Sequence, residues 1–154
     1  EVQALVTAAT TPSPRRSTTG LDSSRVSMLL AILDSRAGLA LGQTDCFVAT
    51  VGGVRLTEPA IDLAACLAVA SAVANHPLDQ RMIVFGEVGL AGEVRAVQDV
   101  NRRIAEAHRL GYQRAIVPAS PNGPGKIPDG MEVRTVTSLA EALHLAGFTP
   151  AGSS

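Results

Sequence analysis

The sequence carries 13 basic residues, of which 12 are arginine, so Lys126 is the one lysine available to any lysine-dependent chemistry. It follows Gly123-Pro124-Gly125 and looks like the end of a phosphate-binding loop. That loop needs Gly six residues before the lysine, Ser or Thr just after it, and a helix beyond. Ser120 and Ile127 stand at those positions and Pro128 blocks the helix, which argues against nucleotide binding here. Gly86, Gly89 and Gly92 in GEVGLAGEV lack the spacing of a dinucleotide cradle and read as turn glycines. His76, His108 and His144 have no carboxylate, Ser or Cys at useful spacing. Cys46 and Cys66 form neither a disulfide framework nor a metal motif.

Two features remain. Asp62 is an acid within a nearly all-apolar stretch. In the first turn of a helix its carboxylate complements the helix dipole, and a buried or subunit-facing polar contact is the alternative. The arginines cluster as Arg15-Arg16 in a Ser/Thr/Pro segment and as Arg102-Arg103 with Arg109 nearby. Such pairs are solvated surface or contacts to phosphate. The net charge of −1 gives no global basic field, so a nucleic acid would have to meet a local patch. With three Phe, one Tyr and no Trp, base stacking is a poor binding mode.

The elements that must position these residues follow from periodicity and punctuation. Residues 1–10 read as a strand and 10–21, with two prolines and a glycine, as an exposed basic loop. Asp22 caps a helix whose face is Val26, Leu29, Leu30 and Leu33, closed by Gly38. A strand over 46–51 bends at Gly52-Gly53. Pro59 opens an alanine-rich helix to about Ala74, which must lie in the middle of the domain because it has no polar face. Met82–Phe85 is a strand, GEVGLAGEV a hairpin or bulged turn, and 99–110 an amphipathic helix closed by Gly111. Strands over 115–117 and 131–136 flank a Pro/Gly loop, and a helix capped by Thr137 or Ser138 runs to about Ala146, before a tail. Hydrophobic residues at 46% and charged residues at 18% fit an ordered domain of ordinary size. The order of elements favours α+β over a doubly wound sheet.

Five stretches, GLDSSRVSMLLAILDSRAGL, DCFVATVGGVRLTEP, DLAACLAVASA, FGEVGLAGEVRAV and AEAHRLGYQRAIVP, resemble the C-terminal domain of the bacterial DNA repair proteins of the RadA (Sms) family, over about Glu1 to Phe148. The resemblance implies an α+β fold like the Lon proteolytic domain, a mixed sheet with packed helices. It also implies a Lon-type peptidase site that has lapsed. Ala60 takes the place of the serine nucleophile and Asn101 that of the lysine base, and neither can do that chemistry. Family members carry a zinc finger and a RecA-like ATPase domain, so ATP, Mg and Zn belong to domains outside this stretch. No cofactor and no metal is expected of the stretch itself, which with no initiator Met reads as a piece of a longer protein, with 149–154 as tail.

The implied role is a scaffold module in DNA repair and recombination. The longer protein would drive branch migration of recombination intermediates with ATP, while this module supports a homo-oligomeric ring, a hexamer by family analogy. Expected partners are branched or single-stranded DNA, met by Arg15, Arg16, Arg102 and Arg103, and a RecA-type recombinase, with no membrane and a cytoplasmic setting. Two other readings stand beside it. One is a serine peptidase with a rearranged site, drawing on Thr57 or Ser71, and the other is a protein-interaction module without DNA contact.

Overall fold

The computed structural model describes residues 1–148, and the tail of 149–154 lies outside them. The N-terminal half is built on a three-stranded sheet. Strand β1 (Val2–Ala8) runs antiparallel to β3 (Thr44–Thr50), and β2 (Arg16–Thr19) adds parallel to the other side of β3. Alternation decides its faces. Val2, Ala4 and Val6 turn inward with Cys46 and Val48, leaving Leu5 outside.

Strand β2 lies inside the segment read as a loop. Ala9 through Pro14 are irregular, and the ladder begins only after the second proline. There Cys46 N–H donates to Arg15 O, and Arg16 donates from its guanidinium to the carbonyls of Thr44 and Leu41. The free edge of β3 therefore imposes strand geometry on a polar run whose own composition favours a loop.

Helix α1 (Ser23–Ala37) starts where the Asp22 side chain accepts the Ser24 N–H at 3.3 Å, and it ends at Gly38 with φ of 73°. A single 3₁₀ turn over Pro59–Ile61 leads into α2 (Asp62–Ala74), whose residues from Asp62 to Ala70 are buried apart from Ala64. This helix packs against α1 and β1 and holds the centre of the larger core with Leu33, Leu63, Leu67 and Leu143. An uninterrupted apolar helix has no other stable place in water.

The second half holds a parallel sheet in the order β4 (Met82–Val84), β7 (Arg114–Pro118), β8 (Glu132–Val136). Between β4 and its hydrogen-bonded neighbour come a hairpin, β5 (Glu87–Val88) with β6 (Val94–Arg95), and helix α3 (Val100–Arg109). A smaller core of Phe85, Ile104, Ala107, Val117 and Met131 joins α3 to the parallel sheet. Helix α4 (Leu139–Leu145) is capped by the Ser138 hydroxyl, which accepts the Glu141 N–H at 3.1 Å.

The α+β class holds, with four α-helices among the described residues. The one mixed sheet expected is instead three small sheets. The stretch between the second and third helices has only short strands, so no ladder joins the two larger sheets. No helix among the described residues is long and apolar enough to cross a membrane.

Candidate functional site

The start of α2 is locked from three sides. Asp62 has no exposed surface, and its carboxylate takes both prongs of Arg25, with Nε at 2.6 Å from Oδ1. The Val88 N–H donates to Oδ2 at 3.0 Å. One buried carboxylate thus ties α1, α2 and the β5–β6 hairpin together. The bidentate bond to Asp62 raises the Arg25 pKa against the cost of its burial, keeping the guanidinium charged. The carboxylate is satisfied by side-chain and backbone partners, so the buried contact replaces the helix-dipole account. Nearby, burial drives the Cys66 thiol well above its ordinary range, and the Asp62 charge adds to the effect.

Beside this lock lies a cleft of about 630 Å³ between the start of α2, strand β4 and helix α3. Ala60, Ile61, Ile83, Phe85 and Leu110 give it an apolar lining, and Arg102 and Arg103 rim it. The two arginines differ. The Arg103 guanidinium lies 5.6 Å from the Phe85 ring centroid, pairs with Glu58 and donates from Nε to Gln98 O at 2.9 Å. It therefore fastens α3 to the segment entering α2. Arg102 has no carboxylate partner among the described residues, and its side chain is the free cation of the rim.

Arg15 and Arg16 sit at the opposite end of the first sheet and line no part of this cleft. Arg15 lies 3.5 Å from Asp45, while Arg16 spends its donors on backbone carbonyls and has no carboxylate partner among the described residues. The four arginines singled out in the sequence thus form two separate pairs. Thr57 is exposed and lines a cavity of about 320 Å³ beside Arg25 and Asp62, and Ser71 Oγ donates to the backbone carbonyl of His76 at 2.6 Å; neither hydroxyl bonds to a histidine or lysine side chain among the described residues. Lys126 is exposed on its loop. Cys46 and Cys66 are free and buried, and no cluster of three metal-ligating side chains occurs among the described residues.

Sequence reasoning missed Arg25, Glu58 and Phe85. For Arg25 a signal existed, because it stands four and seven residues before Leu29 and Ile32, both buried on α1. The pairing of Glu58 with Arg103 spans 45 residues and had none.

A family described as subunit ChlI of Mg-chelatase has a model that matches residues 48–121. That stretch runs from within β3 through Asp62, Val88 and most of the cleft lining to just past β7, and Arg25 lies before it. The similarity to individual proteins is longer. The chain is 48% identical to DNA repair protein RadA of Escherichia coli K12 over 94% of its length, 44% identical to that of Bacillus subtilis over 94%, and 43% identical to that of Mycobacterium tuberculosis over 94%. Over nearly all of its length, then, the chain is a homologue of DNA repair protein RadA, and it spans 29–31% of those relatives.

The lapsed Lon-type peptidase site expected from Ala60 and Asn101 is corrected by these findings. The matching family model is the ChlI one, and it covers both positions. Nor does the structure join the two residues in one site. Ala60 is buried at the cleft wall, with its carbonyl accepting the Gly86 N–H at 2.8 Å. Asn101 is exposed on α3, outside the cleft lining, and its amide abuts Gly125.

Proposed function

We propose that this chain is an assembly module of a DNA repair protein, holding copies of the protein together and contacting DNA phosphates at one end of its first sheet. Its homology to DNA repair protein RadA over 94% of the chain carries the reading. Branch migration of recombination intermediates, ATP-driven through domains outside this stretch, is the activity the module would serve. A homohexameric ring, a RecA-type recombinase partner and a cytoplasmic setting belong to the same reading.

For DNA, Arg16 and Arg15 are the phosphate contacts we favour. Arg16 is held by carbonyls rather than neutralised by a carboxylate, and Arg15 is paired only loosely and is mostly exposed. Arg103 is committed to Glu58 and Phe85. Binding of a branched DNA by the 154-residue chain, followed over a salt series, tests this. Changing Arg15 and Arg16 together to alanine is expected to weaken binding at every sequence and to lower the salt slope by about 1–2. Arg103→Ala should leave the slope as it is. An unchanged slope in the double variant refutes the phosphate assignment, and no binding by the wild-type chain favours a module that meets proteins alone.

A further inference from the structure

The chain has one Tyr and three Phe, and three of these rings are used in packing. Phe85 belongs to the smaller core, Phe148 to the larger, and Tyr112 packs against the smaller. Phe47 packs into neither and is half-buried on strand β3. Alternation explains its place. Cys46 and Val48 turn inward, so Phe47 and Ala49 turn outward. The register adds the exposed Leu5 of β1 on one side and the exposed Ser17 of β2 on the other. The one cation–ring contact among the described residues is at Phe85, so no arginine covers the Phe47 ring.

The accessible charge on this outer face has one sign. Arg16 pairs in register with the inward Cys46, which places Ser17 and Thr19 on the Phe47 side. Arg15 stands on that side too, over Asp45, with its side chain 69% exposed. Asp45 is the one acid of β3 and is buried there, accepting the Arg15 N–H at 2.7 Å. The outer residues of β1 are Gln3, Leu5 and Thr7, all uncharged. The face therefore offers a cation, hydroxyls and a ring, with no accessible carboxylate. Ser17, opposite Phe47, follows Arg15 by about 6.6 Å along the chain.

We propose that the outer face of the first sheet is a stacking platform, on which one unpaired base of a single-stranded DNA lies over Phe47 while Arg15 meets the adjoining phosphate. The proposal rests on the phosphate-contact reading above and names the form of DNA that this site takes. Phosphate contacts alone serve paired and unpaired DNA alike. The ring makes the difference. An aromatic side chain on an open sheet face offers its π-surface to a base that has no neighbour stacked on it. Bases within a duplex are already stacked and must be extruded before they can use it. The chain has too few aromatics for a stacked array, yet one base needs only one ring.

The chain has no Trp, so Phe47→Trp puts a single indole at the site. Its fluorescence is expected to fall when a deoxythymidine oligonucleotide is added and to stay level with a blunt duplex of equal length. Phe47→Leu keeps the apolar bulk and removes the ring. In titrations of the 154-residue chain it is expected to weaken single-strand binding roughly 5–150-fold with the salt slope unchanged, and Phe47→Tyr to retain binding. Phe47 lies outside both cores, so these variants should fold, with circular dichroism as the check. A wild-type chain that binds neither form of DNA overturns the platform and the phosphate reading together. Single-strand binding that is weakened by changing Arg15 and Arg16 to alanine, but is intact in Phe47→Leu, overturns the platform alone. An indole that keeps its brightness with the single strand, or is quenched equally by the duplex, overturns the stacking of an unpaired base.

Discussion

Asp62 is a carboxylate with no water around it, and its two partners come from elements far apart in sequence, Arg25 on α1 and the Val88 N–H on β5. Removing one member of such a pair strands the other charge in an apolar setting. Arg25→Ala is expected to cost about 3–5 kcal/mol in denaturant unfolding, and Arg25→Leu with Asp62→Leu much less than the sum of the two single changes, since the stranded charge is gone. Additive losses would refute the coupling. Cys66 gives a prediction in pH. Its folded pKa lies above the ordinary 9.0, so the folded state holds a proton that the unfolded chain releases. Stability from this group is fully present below the ordinary thiol range and falls as pH rises beyond it, by roughly tenfold in the folding constant per pH unit. Cys66→Ala should flatten that alkaline decline relative to the parent, and equal slopes in the two proteins would refute it. The sequence marked Asp62 as anomalous because an acid inside an alanine-rich helix demands a reason. It did not identify the partner, because ion pairing across 37 residues leaves no periodic trace.

At the scale of elements, the helices were readable because their caps and apolar stripes are local signals. Asp22 and Ser138 do accept the N–H groups expected of caps, and Gly38 closes α1 in the left-handed region. Asp22→Ala is expected to cost about 1 kcal/mol of stability in urea unfolding. Strand β2 was not readable. Its Ser and Thr residues become a strand because the edge of β3 accepts them, a tertiary cause absent from the segment itself. Gly20 ends that strand with φ of 79°, where a Cβ would run into the Thr50 hydroxyl and reach 2.5 Å from the Val54 carbonyl. Gly20→Ala is therefore expected to destabilise the chain by at least about 1–3 kcal/mol, more than Gly123→Ala, whose Cβ meets nothing within 4 Å. Equal losses at the two glycines would mean that backbone strain alone, and not the close approach to Thr50, sets the cost.

For the whole molecule, the two cores divide the chain unequally. The larger one gathers α1, α2, α4 and the first sheet, and it contains both cysteines; the smaller one joins α3 to the parallel sheet and contains neither. Thiol labelling of the native chain therefore reports opening of the larger core. Cys46 comes from β3 and Cys66 from α2, and both are under 2% exposed. Strand and helix pack into one continuous cluster, so neither side chain can reach a reagent unless that cluster comes apart. Both thiols are expected to label at one common rate, with an opening free energy equal to that of global unfolding. Met131→Ala, in the smaller core, changes that rate only if the two cores unfold together. A loss of about 2–5 kcal/mol at Met131 that leaves labelling unchanged would show two separable units. A matched acceleration of both thiols would show one. The tie between the cores favours one, because α2 touches β4 and its first turn bonds to Gly86, next to Phe85 of the smaller core.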